Sequence, residues 1–265
     1  MVTAIIGAGV MGESILAGLI RTGRDAGSIM VGERRPDRGA ELARKYGVKV
    51  VPNVEAAAAD TVLLAVKPQD LGETLREIAP KLRAGQVLVS VAAGKSTEWI
   101  ESLVPEGVAV VRAMPNTPAL VSEGMAGLSR GSSVSDVQYA EAESLLSAIG
   151  RAIEIPEYQQ DALTAVSGSG PAYIFYVVEA MVEAGVQLGL ARDVSTALVQ
   201  QTLFGAATML RETGTHPSVL REQVTSPGGT TAAALRQLDE HGVRAAFMSA
   251  MEACRNRSRE LAQGS

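Results

Sequence analysis

The run Thr3-Ala4-Ile5-Ile6-Gly7-Ala8-Gly9-Val10-Met11-Gly12 places three glycines at the spacing G-x-G-x-x-G directly after a short apolar stretch. This pattern predicts a buried strand that turns tightly into a helix. Gly7 permits the turn, Gly9 leaves no side chain between the backbone and a pyrophosphate, and Gly12 lets the helix pack closely on the strand. The phosphates of a dinucleotide would rest on the helix N-terminus. Gly7, Ala8, Gly9, Val10, Met11 and Gly12 are therefore candidate cofactor contacts. Glycine-rich turns of this kind also occur without a ligand, so the rest of the chain has to decide the matter.

Residues 13–21 carry Ile15, Leu16, Leu19 and Ile20 at the spacing of a helix that covers a sheet. Gly23 and Gly27 break it, and residues 28–32 read as a second strand ending in Glu33-Arg34-Arg35-Pro36. That position, about 20 residues beyond the fingerprint, is where such folds grip the adenosine ribose. Glu33 suits a ribose 2′-hydroxyl, whereas Arg34 and Arg35 suit a 2′-phosphate. The two adjacent arginines favour NADPH, with NADH tolerated. Residues 36–45 form a helix with Pro36 at its start and Gly47 past its end, and residues 48–51 a third strand. Asn53 suits an N-cap for the segment that follows, a cofactor contact, or both.

Three more apolar strands follow, at residues 61–66, 86–91 and 108–113, separated by helical segments at 71–79 and 97–103. Continuous apolar strands alternating with helices predict a doubly wound parallel sheet buried on both faces. The loops after its strands lie along the edge that holds the glycine turn. Val66, Lys67 and Pro68, Ala92, Ala93 and Gly94, and Pro115 and Asn116 are thus expected to converge on one crevice. A strand at 124–129, a helix at 135–149 and a strand at 152–155 extend the sheet, and Pro156 marks the expected boundary. The fold class read from the chain is α/β: a Rossmann-type domain, 1–155, followed by an all-helical dimerisation and substrate domain, 156–265.

From residue 157 onward strand patterns vanish, and about five helices are expected. The stretch 172–188 is apolar apart from Tyr173, Tyr176, Glu179, Glu183 and Gln187, and residues 195–210 are similarly poor in charge. Glu179 and Glu183 argue against a membrane span. Apolar helix faces of such breadth exceed what a monomer exposes, which predicts a homodimer with these helices at its centre.

Two glycine-rich breaks stand out, Ser167-Gly168-Ser169-Gly170-Pro171-Ala172-Tyr173 and Val224-Thr225-Ser226-Pro227-Gly228-Gly229-Thr230-Thr231. Hydroxyls and exposed amides at a helix start suit a substrate carboxylate with no basic residue required. Ordinary capping by Ser226, Thr230 or Thr231 is the plain alternative. His216 and His241 flank Pro217 and Gly242 at helix ends and read as surface or capping residues.

The formal charge of −5, with basic residues scattered, gives no footprint for nucleic acid or an anionic membrane. The single cysteine, Cys254, excludes an internal disulfide and fits a reducing cytoplasm. Met1 leads into the first strand with no basic or separate apolar segment, so no secretory signal is expected. No catalytic triad, P-loop or paired-histidine metal motif is present, so no metal is expected and the chemistry needs little proton-transfer machinery.

On these residues, with Ala65-Val66-Lys67-Pro68-Gln69 and Arg112-Ala113-Met114-Pro115-Asn116-Thr117-Pro118-Ala119, the chain resembles pyrroline-5-carboxylate reductase from residue 4 to residue 261. The resemblance implies reduction of 1-pyrroline-5-carboxylate to L-proline by hydride from NAD(P)H, and commonly a ring of dimers. It implies that Ser226 and the amides of Gly229 and Thr230 hold the substrate carboxylate while the Thr231 hydroxyl bonds the ring nitrogen. It also sets Asn53 and the loops at Lys67, Ala93 and Asn116 against the nicotinamide cofactor. A β-hydroxyacid dehydrogenase shares the Met-Gly fingerprint ending but uses a lysine on the central helix, and residues 171–210 contain none. A dinucleotide-binding protein without catalysis is the remaining alternative.

Overall fold

The computed structural model describes residues 1–263. Its first part alternates β1 (Thr3–Ile6), α1 (Val10–Arg21), β2 (Ile29–Gly32), α2 (Pro36–Tyr46), β3 (Lys49–Val51), α3 (Asn53–Ala56), β4 (Thr61–Leu64) and α4 (Pro68–Ile78). It continues through β5 (Val87–Ser90), α5 (Thr97–Glu101), β6 (Ala109–Pro115), β7 (Gly124–Arg130), α6 (Asp136–Ser147) and β8 (Gly150–Glu154). The strands make one sheet in the order β3-β2-β1-β4-β5-β6-β7-β8.

Alternate residues of each central strand feed two separate cores. Ile5, Leu63, Val89 and Val111 pack under α1, α2 and α6, whereas Ile6, Leu64, Leu88 and Val110 pack under α3, α4 and α5. Burial on both faces is why these strands are apolar without alternation. The pairs from β3 through β6 are parallel. β7 runs antiparallel to β6, because the turn Thr117–Val121 that joins them is too short for a crossover, which needs a dozen or more residues.

Helix ends follow local chemistry. Pro36 opens α2 and Gly47 closes it in the left-handed region at φ 70°. Ser135 and Gln138 form a reciprocal capping box at α6. Asn53 is not a cap: Pro52, held extended by its ring, takes the N-cap position, and Asn53 is the first residue of α3 with its side chain buried.

Past β8 the described residues contain only helices: α7 (Gln160–Leu163), a π-turn at Thr164–Gly168, α8 (Gly170–Gln187), α9 (Arg192–Thr213), α10 (Pro217–Gln223), α11 (Thr230–Glu240) and α12 (Val243–Gln263). Two compact units result. One comprises Met1–Ser169 with the chain from Cys254 onward, the other Gly170–Ala253.

Within the second unit α8 and α9 lock where the Ser195 hydroxyl donates to the Val182 carbonyl at 2.9 Å, over Gly185, whose missing side chain makes room. Val182, Ser195 and Val199 are the only buried residues among the described residues of this unit. Phe175 and Phe204 remain 66% and 67% exposed. One chain therefore leaves most of residues 172–188 exposed. An apolar helical unit without a core of its own has the character of an obligate interface.

Candidate active site

The sheet register aligns Gly32, Ile6, Leu64, Ser90 and Arg112 across one line. The residue after each central strand therefore begins a loop on the same edge. Hydrogen bonds stitch these loops side by side: Gly7 N–H to Gly32 C=O at 3.0 Å, Ala65 N–H to Ile6 C=O at 2.8 Å, and Val91 N–H to Leu64 C=O at 3.0 Å.

On this edge the three glycines do different jobs. Gly7 has φ 90°, and a Cβ there would lie 2.8 Å from Val66 Cγ1 and 2.9 Å from the Ala65 carbonyl. A Cβ on Gly12 would be driven into the Gly7 carbonyl oxygen. Gly9 is exposed, with nothing within 4 Å of the position its Cβ would take. The first intrahelical bond of α1 runs from Glu13 N–H to Gly9 C=O at 2.9 Å, so the amides of Val10, Met11 and Gly12 point out of the helix start. An open backbone surface ending in unused amides is the shape and polarity that a pyrophosphate fits.

Beyond β2, charged residues close on one another. Arg35 chelates Glu33, with Nε 3.0 Å from Oε1, and donates its own amide to the same oxygen at 3.0 Å. Burial works to raise the Glu33 carboxyl, but the Arg35 bonds and the Ala8 amide outweigh it and hold the carboxyl below its usual range. Arg34 bonds Glu77 at 2.6 Å and Glu73 at 3.4 Å on α4.

Arg38, one turn into α2, donates to the Ala8 carbonyl through Nε and Nη2 at 3.3 Å and pairs with Glu13 and Glu41. Sequence reading did not single it out, and its only signal is its place on the helix that follows the arginine pair. Glu13 accepts from Lys45 and Tyr46, each at 2.8 Å, as well as from Arg38. The Lys45 ammonium foremost, then Arg38 and Tyr46, draws its carboxyl down to about 2 against the opposing effect of burial.

A depressed carboxyl stabilises the fold above its unfolded value and loses that contribution as pH falls through the folded one. Glu13→Gln is therefore expected to flatten the loss of stability between pH about 4.5 and about 2, read by denaturant unfolding at stepped pH. An unchanged slope would show that this network does not brace the glycine turn.

Asn53 reaches the same edge: its Oδ1 fills the space a Gly32 side chain would need, and its Nδ2 donates to Glu77 at 3.3 Å. Lys67 precedes α4 and is exposed, with Val66 and Pro68 half-buried beside it. After β5, Ala92 is buried, Ala93 exposed, and Gly94 turns at φ 77°. At the end of β6, Pro115 is buried and Asn116 is fully engaged. Its Oδ1 accepts from Met125 N–H at 2.8 Å, and its Nδ2 donates to the Ser167 carbonyl at 3.1 Å. Two of the sequence motifs thus meet directly, the one ending β6 and the one before α8.

The residues Ser226 to Thr231 lie in the helical unit. Gly229 N–H donates to the Ser226 carbonyl at 3.0 Å, and a Cβ on Gly229 would strike the Ser226 hydroxyl. Gly229 is the N-cap of α11 with no side-chain cap bond, so neither Ser226 nor a threonine serves as one. The first intrahelical bond is Ala233 N–H to Gly229 C=O at 3.1 Å, which leaves the Thr230, Thr231 and Ala232 amides directed out of the helix start.

His216 caps α10 by accepting from Ser218 N–H at 3.3 Å, and His241 ends α11; both are exposed. Cys254 lies on α12, its Sγ donating to the Ser169 hydroxyl at 3.3 Å. Among the described residues no cluster of His, Cys, Asp and Glu could hold a metal, and no helix is long and apolar enough to cross a membrane.

Known proteins match on both halves. Residues 157–261 fit the family described as pyrroline-5-carboxylate reductase dimerisation, and residues 2–94 fit that of NADP oxidoreductase, coenzyme F420-dependent. The chain is 46% identical over 263 residues to the pyrroline-5-carboxylate reductase of Corynebacterium melassecola, covering 97% of each. It superposes on the pyrroline-5-carboxylate reductase of Coxiella burnetii with a TM-score of 0.95 at 40% identity, covering 98% of this chain and 97% of that one. The Plasmodium falciparum enzyme, solved with NADP bound, gives 0.86 at 28% identity, covering 99% and 98%. With a glycine turn open for a dinucleotide, a helical unit made to pair with another, and relatives matching along nearly the whole length, the chain belongs to the pyrroline-5-carboxylate reductase family.

Proposed function

We propose that the protein reduces 1-pyrroline-5-carboxylate to L-proline with NADPH as hydride donor, as a homodimer. The observation that carries this reading is the presence in one chain of an open glycine turn and a hydroxyl-rich turn whose amides point out of a helix start. When bound, the nicotinamide supplies the hydride. The chain's own part is to hold the dinucleotide and to hold and polarise the imine. The amides of Val10, Met11 and Gly12 take the pyrophosphate, and Asn53 and the loops at Val66 to Pro68, Ala92 to Gly94 and Pro115 to Asn116 flank the nicotinamide half. Arg34 and Arg35 take the 2′-phosphate by exchanging carboxylate partners for it, and Glu33 lies beside the ribose.

The Ser226 hydroxyl and the Thr230 amide receive the substrate carboxylate. Gly229, its own amide bonded within the turn, supplies the close approach. The Thr231 hydroxyl bonds the ring nitrogen. A cyclic imine protonated at nitrogen is already an electrophile, so no strong general acid is required, in keeping with two exposed histidines at helix ends. Assembly of dimers into a ring and action in the cytoplasm extend the same reading, the latter resting on a lone cysteine and the lack of a spanning helix among the described residues.

The test is NADPH oxidation dependent on pyrroline-5-carboxylate. Wild type is expected to turn over, with NADH slower, and Thr231→Ala to lose roughly 5- to 150-fold in kcat/KM, equivalent to about 1–3 kcal/mol of transition-state binding. Cofactor binding without imine-dependent oxidation would refute the assigned reaction, and full activity in Thr231→Ala would remove that hydroxyl from it.

A further inference from the structure

A half-open cavity, its wall more apolar than polar, lies in the first unit beside the loops that follow β4 and β5. It is bounded by α4, the start of α5 and the last turns of α12, and has a volume of about 960 Å³. That is the upper range for a small-molecule site, roughly 300–1,000 Å³. Lys95 lines it and is only 8% exposed. Its Nζ sits 4.6 Å from the centre of the Trp99 ring, and among the described residues it has no hydrogen-bonding or carboxylate partner.

A buried ammonium without a counter-ion is strongly disfavoured, and an aromatic face offsets only part of that cost. The remaining charged groups on the wall do not supply the missing anion. Among the described residues Arg76 is a further cation with no ion pair, Arg257 is bonded to Glu260 at 2.7 Å, and the one carboxylate on the wall, Glu73, bonds Arg34. Three cations against one carboxylate leave a positive surplus that matches a phosphate dianion. Guanidinium forks and a lysine point charge are the groups that recognise phosphate.

We propose that this cavity binds a phosphate-bearing small molecule through Lys95, Arg76 and Arg257. Pro68, Ala93 and Gly94, which also flank the nicotinamide half in the reading above, line it from the β4 and β5 loops, so its occupant lies beside the dinucleotide edge, while Lys95, Arg76 and Arg257 take no part in the dinucleotide site. The phosphate comes either as the free ion or as part of a nucleotide, and the size of the cavity and the Trp99 ring accommodate the larger form.

Calorimetric titration of inorganic phosphate into the full-length protein, at constant ionic strength and without dinucleotide, tests this directly. The expected result is a site whose affinity falls about tenfold or more in Lys95→Met and stays within a few fold in Lys95→Arg, the loss matching one charge-assisted bond. Arg76→Gln, at an exposed position on α4, is expected to weaken the same site several-fold while leaving packing intact. If adenosine 5′-diphosphate displaces phosphate from the wild-type protein, and its own directly titrated affinity falls in Lys95→Met, the source is a nucleotide. If it does not compete while phosphate binding still depends on Lys95, the source is the free ion. Phosphate binding that is undetectable, or equal in wild type, Lys95→Met and Arg76→Gln, overturns the proposal. None of these readouts involves imine turnover, so failure here is separable from failure of the assigned reaction.

Discussion

Gly9→Ala and Gly12→Ala are expected to fail in opposite ways, although each adds one methyl group to the same turn. Gly9 has φ −71° and ψ −166°, a conformation open to any residue, and an added Cβ meets nothing within 4 Å. The variant should fold, with at most about 1 kcal/mol lost from the weaker N-cap. Its methyl group stands where the pyrophosphate must approach the backbone. Displacing two charge-assisted hydrogen bonds, at about 1.5–3 kcal/mol each, weakens NADPH binding by roughly 100-fold or more.

At Gly12 the same methyl group runs into the Gly7 carbonyl and presses Ala65 Cβ at 3.2 Å, both inside the fold. Overpacking of this kind costs about 1–3 kcal/mol, or a fall in Tm of roughly 2–12 °C. Calorimetric melting and NADPH titration on both variants separate the effects. Unimpaired NADPH affinity in Gly9→Ala would remove the dinucleotide from this turn, and an unchanged Tm in Gly12→Ala would mean that α1 is free to shift.

Phe204→Asp is expected to dissociate the homodimer and to unfold the helical unit with it. The unit buries only Val182, Ser195 and Val199 within its own chain, while Phe204 on α9 is 67% exposed. Burying a phenylalanine contributes about 1.5–3 kcal/mol, and two-fold symmetry counts it twice, so removing both copies weakens dimerisation by roughly 100- to 10,000-fold. The inserted carboxylates add desolvation cost in the same direction. Sedimentation should show monomer, and circular dichroism a loss of helix with the sheet unit still folded on its two cores. Phe204→Leu should remain dimeric. A Phe204→Asp protein that sediments as the wild type would place the interface on another face.

The sheet was legible because burial on both faces forces continuous apolar strands, and because Pro36, Gly47 and Ser135 punctuate helices through local backbone chemistry. The convergence of Gly7, Val66, Ala92 and Asn116 on one edge followed from topology alone, since parallel strands put all their carboxyl ends on one side. The antiparallel direction of β7 depends on the length of the connection from β6, which local patterning does not reveal.

Side-chain partnerships were not legible. Whether Asn53 caps a helix or braces Gly32 depends on Pro52 taking the cap and on Glu77 arriving from α4. The tie from Asn116 to Ser167 joins segments far apart in the chain, as does the grip of Arg38 on Ala8. No local pattern in the sequence marks Lys95, and only packing in the folded unit makes it a buried cation.

The sequence by itself determined the strand and helix periods, the glycine turn, the hydroxyl-rich turn and the presence of helices too apolar to stand alone, because each is set by neighbours within a few residues or by face-wide hydrophobicity. Only the tertiary structure decided which charge meets which, which glycine is open and which is packed, and where a cation is left without a partner, because those depend on distances between atoms that the chain brings together only on folding.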